Sequence, residues 1–162
     1  KEEKIRQALR TFKGVWRRFE WVYTSPEAVY IDDYAHHPEE LKAAIRAARS
    51  LFPKRKITGV FQPHLYSRTN DFVDEFAEAL DELDELYLLD IYPARELPID
   101  GVSSQLILDK MKNSNKIFVS KNDLIEKLKQ KPVEVLLTLG AGDIGAMVKD
   151  IALGLFGTVV ND

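Results

Sequence analysis

The chain has no cysteine. That removes disulfides, thiolate nucleophiles and cysteine-ligated metals in one step, and it suits a reducing compartment. No apolar run reaches the roughly 18–20 residues that a membrane-spanning helix needs. The most apolar stretch, Ile144 to Val160, is interrupted by Lys149 and Asp150. Neither sign of charge dominates: 23 Lys and Arg stand against 26 Asp and Glu, a formal net charge of -3. Such a balance gives no general electrostatic case for nucleic-acid binding. Residues 1–13 are charged and helical in pattern, unlike a signal peptide. What remains is 162 residues, 45% apolar and 30% charged, enough for one globular domain with a full core. The chain opens on Lys1-Glu2-Glu3-Lys4-Ile5 without an initiator Met, and we expect it to be part of a longer protein.

Periodicity divides the chain into short elements. Residues 2–12 read as an amphipathic helix with Ile5, Ala8, Leu9 and Phe12 on one stripe, ended by Gly14. Phe19 to Thr24 and Val29 to Asp32 flank Ser25-Pro26-Glu27 as a hairpin. Pro38 opens a helix at its first turn, with Glu39 and Glu40 facing the positive end of its dipole. Ile57 to Phe61 is a near-continuous apolar strand, as in a buried parallel sheet. Then follow a helix from about Asn70 to Leu80, a strand from Leu86 to Ile91, and a loop from Tyr92 to Val102. Helix Ser103–Lys112, strand Lys116–Val119, helix Asn122–Gln130 and strand Val133–Leu139 come next. A last helix runs from Ile144 to about Leu155. After the hairpin the order is strictly β-α-β-α. The expected fold is α/β: a mostly parallel, Rossmann-like sheet with helices on both faces, opened by an antiparallel hairpin.

All three histidines fall in two short segments, Asp33-Tyr34-Ala35-His36-His37-Pro38 and Gln62-Pro63-His64-Leu65-Tyr66-Ser67-Arg68. Each follows a strand-like run and precedes a helical one. Open α/β sheets bind ligands there, outside the carboxyl ends of the strands. Neighbouring side chains on an extended segment point opposite ways, so His36 and His37 are poor partners for one metal ion. The plain alternative is that His37 caps a helix and His36 is a surface residue. Arg68 offers a planar two-point donor for carboxylate or phosphate; its plain alternative is a surface pair with Asp71. Gly140-Ala141-Gly142-Asp143-Ile144-Gly145 has the letters of a dinucleotide fingerprint, but it follows the last strand. It also has P-loop glycine spacing, with Ala146 where the lysine must be. The economical reading is a glycine turn able to approach an anion, against a plain strand-to-helix turn. Tyr92-Pro93-Ala94-Arg95-Glu96 follows a strand at the same end of the sheet. Arg17-Arg18 would ordinarily be surface.

Taken in order, these strings carry a resemblance. Arg18-Phe19-Glu20, Asp33-Tyr34-Ala35-His36-His37-Pro38, Phe61-Gln62-Pro63-His64-x-Tyr66-Ser67-Arg68-Thr69, Asp90-Ile91-Tyr92-Pro93-Ala94-Arg95-Glu96 and Gly140-Ala141-Gly142-Asp143-Ile144 resemble the C-terminal domain of the Mur ligases. The likeness runs from about residue 5 to about residue 155. Within the family, Phe-Gln-Pro-His-x-Tyr-Ser-Arg with the double His is most similar to the branch that adds L-alanine.

The resemblance implies a bacterial, cytoplasmic three-domain parent acting in peptidoglycan synthesis. An N-terminal domain would hold a UDP-sugar, and a central one the P-loop and Mg²⁺. This chain would be the single C-terminal domain over 1–162, with 1–14 as the tail of the connection to the central domain. Its partners would be UDP-N-acetylmuramate, L-alanine, ATP and its own two other domains, without nucleic acid or membrane insertion. The implied reaction is ATP-driven amide formation through an acyl phosphate, and the fragment alone is expected to be inactive. By carry-over, Arg18 and Asp33 contact the nucleotide. His36, His37, His64 and Arg68 face the acyl phosphate and the amino acid as catalytic residues. Tyr34, Tyr66, Arg95, Glu96, Gly140, Gly142 and Asp143 are substrate-binding positions. Many members have a second basic residue where this chain has Leu65. Two alternatives stay open: a tripeptide-recycling ligase, and a non-catalytic nucleotide-binding module.

Overall fold

The computed structural model describes residues 2–11 and 15–158. Helix α1 (Glu2–Thr11) comes first, with Ile5 and Ala8 of the expected stripe exposed. The Leu9 side chain, Phe12 and Gly14 lie outside the described part. The rest is built on a six-stranded sheet in the order β1-β2-β6-β3-β4-β5. Its strands are β1 (Glu20–Thr24), β2 (Val29–Asp33), β3 (Ile57–Phe61), β4 (Glu85–Leu88), β5 (Lys116–Phe118) and β6 (Val135–Leu139). Among the described strands the β1–β2 hairpin is antiparallel and the other pairings are parallel.

Helices α2 (Pro38–Leu51), α4 (Val73–Leu80) and α5 (Gln105–Lys110) cover one face of the sheet. Helices α6 (Leu124–Leu128) and α7 (Ile144–Phe156) cover the other. Alternation along the strands sorts the side chains between the two layers. Ile31, Phe61, Leu88 and Leu137 face α2, α4 and α5, while Tyr30, Val60, Tyr87 and Leu136 face α6 and α7. Both faces are covered, so β3 and β6 are buried at every position, which is why they read as continuous apolar runs. Each fully buried Leu, Ile or Phe contributes about 1.5–3 kcal/mol of transfer free energy. These layers, not local propensity, hold the short helices.

The last strand is inserted at the centre. β6 pairs with β2 on one side and β3 on the other. Asp33, Leu139, Phe61 and Leu88 therefore stand level across four parallel strands. The segments that follow them, at Asp33–His37, Gln62–Arg68, Tyr92–Glu96 and Gly140–Asp143, emerge at one edge.

Several boundaries differ from the periodic reading. The Tyr66-Ser67-Arg68 string is helical: α3 runs Tyr66–Asp71, breaks at Phe72 (φ -124, ψ 27), and α4 resumes at Val73. The early start depends on Glu96, which receives the Ser67 backbone N–H at 3.0 Å from 29 residues away. No local pattern records that partner. Helices α5 and α6 and strand β4 are shorter than their periodic runs, because turns and isolated backbone bonds consume the ends.

Candidate active site

Strain marks the edge. The described non-glycine residues with positive φ are Arg17 (56), Phe19 (48), Leu65 (73) and Ala94 (52). All lie in the segments that meet at this edge. Such conformations cost about 1–3 kcal/mol each and persist only where surroundings enforce them. Here the enforcing bonds are visible. Phe19 N–H donates to Asp33 Oδ2 at 2.7 Å, and Tyr34 N–H donates to the Arg17 carbonyl at 2.8 Å. Leu65 N–H donates to the Tyr92 carbonyl at 2.9 Å, and Tyr92 N–H returns to the Pro63 carbonyl at 2.8 Å.

The Asp33–His37 segment ends in the N-cap of α2. His37 Nδ1 accepts the Glu39 N–H at 3.4 Å, and Glu40 Oε2 accepts the N–H groups of His36 at 2.9 Å and His37 at 3.2 Å. His37 packs edge-on against Phe72, its ring centre 4.9 Å away. His36 instead meets Tyr34 at 5.4 Å and His64 at 5.9 Å between ring centres. The two adjacent histidines thus diverge, and His37 is built into the helix start.

His64 stacks on Tyr92 at 5.6 Å, and its Nδ1 lies 3.4 Å from Arg68 Nη1, one helical turn on. No ion pair joins Arg68 to Asp71 among the described residues. Arg18 is exposed, with its guanidinium 5.3 Å from the centre of the Tyr34 ring. Each Asp33 oxygen holds a backbone N–H, Oδ2 that of Phe19 and Oδ1 that of Ala35 at 2.7 Å. Glu96 takes the Ser67 hydroxyl as well as its N–H. Tyr66 is half-buried in the first turn of α3, and Arg95 is exposed. The structure therefore joins Arg18, Tyr34, His36, His64 and Arg68 in one run of contacts. It leaves His37, Arg95 and Tyr66 outside that run.

The glycine turn is filled from within the domain. A Cβ on Gly142 would lie 2.5 Å from Gln62 Oε1 and 2.7 Å from the Tyr92 ring. Gln62 Oε1 accepts the Ile144 N–H at 2.9 Å, and its Nε2 donates to Asp143 Oδ1 at 2.7 Å. Asp143 also pairs with Lys121 at 2.5 Å. Gly140 has φ 141, which only glycine adopts readily.

Sequence reading missed a buried polar chain beneath the edge. Arg17, expected at the surface, is only 6% exposed. Its Nε donates to Asp32 Oδ2 at 2.9 Å and its Nη2 to the Gly140 carbonyl at 2.7 Å. Thr138 donates to Asp32 Oδ1 at 2.6 Å and lies 3.1 Å from the Tyr30 hydroxyl. The reason for the burial is Gly145, where a Cβ would lie 2.5 Å from the guanidinium carbon. Burial pushes the Asp32 carboxyl up, against the opposing pull of the Arg17 and Thr138 bonds. Glu40 was also missed as a site residue, although its place three residues after His37 is capping-box spacing. Gln62 and Arg17 carried no such local signal. A cavity of about 250 Å³ is lined by Trp16, Arg17, Glu20, Asp32, Gly145 and Lys149, among others. His36, His64 and Arg68 are not among its walls.

Burial first, then the Arg68 and His36 charges, hold the His64 imidazole below its ordinary value of 6.5. The Ser67 bonds hold Glu96 below the usual carboxylate range. Glu40 is also held low: burial pushes it up, but the His36 and His37 N–H bonds and nearby positive charge outweigh that. A depressed folded-state value makes a contribution that is present above the unfolded value and lost as pH falls through the folded one. Melting temperature should therefore begin to fall as pH drops below about 6.5, and fall further through the carboxylate range. His64→Gln should flatten only the upper part of that decline. Calorimetry across pH 7 to about 5 checks this; equal slopes in both proteins would remove His64 as the cause.

A parallel α/β sheet with imidazoles and guanidinium groups at its carboxyl edge defines a Rossmann-like domain equipped for anionic ligands. Comparison narrows this. A family profile described as "Mur ligase, glutamate ligase domain" matches residues 17–142. The UDP-N-acetylmuramate–L-alanine ligase of Flavobacterium psychrophilum is 56% identical over 149 residues, 92% of this chain and 33% of that protein. That of Porphyromonas gingivalis is 56% identical over 147 residues, 90% of this chain and 32% of its own length. The crystal structure of the Thermotoga maritima UDP-N-acetylmuramate-alanine ligase superposes with a TM-score of 0.73 at 32% identity, over 90% of this chain and 31% of that one. A murein peptide ligase from Psychrobacter arcticus, at TM-score 0.72 and 17% identity over 96% of this chain and 33% of that one, shares the fold. The chain belongs to the Mur ligase family. It spans about a third of the length of the curated relatives it matches. No described helix is long and apolar enough to cross a membrane.

Proposed function

We propose that this chain is the C-terminal domain of a three-domain, ATP-dependent ligase that joins L-alanine to UDP-N-acetylmuramate in the bacterial cytoplasm. One observation carries the reading. The loops holding His36, His64 and Arg68 converge on one edge in a chain 56% identical, over 92% of its length, to a ligase of that name. The chemistry is activation of the sugar's lactyl carboxylate as an acyl phosphate, followed by attack of the alanine amine and loss of phosphate. Arg68 can hold a carboxylate or the phosphate charge that develops as the bond breaks. Neutral imidazoles can accept or donate protons there. Arg18, exposed at the edge, suits a nucleotide phosphate. Asp33 suits ribose hydroxyls, since a carboxylate has about four acceptor sites and only two are used by backbone N–H groups.

Among the described residues no group of three or more His, Asp or Glu could hold a metal ion. Ala146 also stands where a P-loop needs lysine. The metal and the P-loop belong to the central domain of the parent, and residues 1–14 to the connection with it. Half-buried His36, His64 and Arg68 await closure by those domains.

The test is an assay of the full-length parent with a panel of amino acids, reading phosphate release from ATP in the presence of UDP-N-acetylmuramate. L-Alanine should be the preferred acceptor, and the isolated chain should release nothing. Preference for a tripeptide would transfer the chain to the recycling branch. A parent gene without Gly-x-x-Gly-Lys-[Ser/Thr] upstream would make it a binding module.

A further inference from the structure

We infer that His36 carries its ring hydrogen on Nδ1 while His37 and His64 carry theirs on Nε2, and that this divides their work: His36 is the base that takes a proton from the incoming amine, while His64 serves as an N–H donor. The identity of that amine rests on the proposed ligase function; the proton positions do not.

Partners that can only accept or only donate fix each ring. His36 Nδ1 lies 2.9 Å from the Tyr34 carbonyl oxygen and 3.2 Å from Glu40 Oε2. A carbonyl and a carboxylate only accept, so Nδ1 carries the hydrogen and the neutral ring keeps its lone pair on Nε2. His64 is the reverse. Its Nδ1 faces Arg68 Nη1, which only donates, at 3.4 Å. Its lone pair is therefore on Nδ1 and its hydrogen on Nε2. His37 Nδ1 accepts the Glu39 N–H, so its lone pair is committed to the helix cap. Of the three, His36 is the one whose lone pair lies on Nε2, and among the described residues no hydrogen bond is made to it.

Charge placement agrees. The groups against the His36 ring are Glu40 on α2, Tyr34 before it and His64 from the neighbouring loop, with Arg18 over the Tyr34 ring and Arg68 beside His64. A proton arriving at His36 Nε2 makes an imidazolium whose Nδ1–H already faces the Glu40 carboxylate. A proton arriving at His64 would meet the Arg68 guanidinium, whose effect on the ring exceeds the opposing pull of the Glu96 carboxylate. In the reaction the ammonium N–H bond breaks, its electron pair stays on the amine nitrogen, and the proton moves to His36 Nε2. The freed amine then attacks. Glu40 and the Tyr34 carbonyl take no proton. They are positioning groups, of the kind that orient a metal-bound or catalytic histidine through its other nitrogen.

Two measurements test this. Long-range ¹H–¹⁵N spectra of this labelled chain, which has only three histidines, read the ring protonation directly. His36 should show hydrogen on Nδ1, and His64 and His37 on Nε2. Hydrogen on Nε2 of His36 overturns the assignment. In the full-length ligase, His36→Gln should lose about 10²- to 10³-fold in turnover at neutral pH. The deficit should shrink as pH rises, because free amine then needs no base. His64→Gln should lose activity without that recovery. Glu40→Gln keeps the capping-box bonds. It should lower the melting temperature only slightly at neutral pH, since the ionised Glu40 carboxylate itself adds some stability, lose about tenfold in turnover, and recover at alkaline pH like His36→Gln. Equal, pH-independent losses at His36 and His64 overturn the division of work. A parent indifferent to alanine refutes the proposed function and leaves the spectra to decide the proton positions.

Discussion

Arg68→Lys in the full-length ligase is expected to cut turnover about 30- to 1,000-fold while leaving the fold intact. The arithmetic is one charge-assisted bond aimed at transition-state charge, about 2–4 kcal/mol. Lysine keeps the charge but is a point donor and cannot reproduce a planar two-point contact. The structure removes the surface pairing with Asp71 as a competing role. Arg68 sits in α3 one turn from His64 and is half-buried at the sheet edge. Since it closes no ion pair among the described residues, its loss should shift the melting temperature by only a few degrees, under about 1 kcal/mol. Steady-state kinetics with alanine and ATP varied separately will show which substrate feels the change. Near-native rates in both Arg68→Lys and Arg68→Ala would strike the residue from the site.

Arg17→Met is expected to be the most destabilising single change at this end of the molecule, at about 3–5 kcal/mol. The reason is what it leaves behind. Asp32 is 1% exposed and would lose its cationic partner, and the Gly140 carbonyl would lose a donor. For a domain of this size the loss amounts to a fall of roughly 6–20 °C in melting temperature. It should be larger at neutral pH than in mild acid, because protonating the stranded Asp32 removes the buried charge. The double variant Arg17→Met/Asp32→Leu should recover part of the loss, since a well-packed apolar pair avoids both desolvation costs. Denaturant titrations of the three variants decide it. A cost under about 1 kcal/mol for Arg17→Met would return the residue to the ordinary surface class.

Much of this was legible in the one-dimensional pattern. Ile57–Phe61 is a strand at the bounds its apolar run predicts, because both of its faces are buried. Pro38 with Glu39 and Glu40 marks the start of α2 because a helix N-terminus has local chemical demands. The divergence of His36 and His37 follows from the geometry of an extended segment. Wherever the cause lies within a few residues, the sequence displays it.

The sequence by itself determined the α/β class, the two-layer core and the placement of the histidine segments after strands. Each rests on periodicity, which depends only on neighbours along the chain. Only the tertiary structure decided the strand order. β6 enters the middle of the sheet and carries the Gly140 turn between the Asp33 and Gln62 segments. That insertion creates the long-range partners: Arg17 with Gly140 across 123 residues, Gln62 with Ile144 across 82, and Thr138 with Asp32 across 106. The early start of α3 has the same origin in Glu96. A guanidinium reads as a surface group until the fold brings a buried carboxylate, a carbonyl and a glycine to meet it.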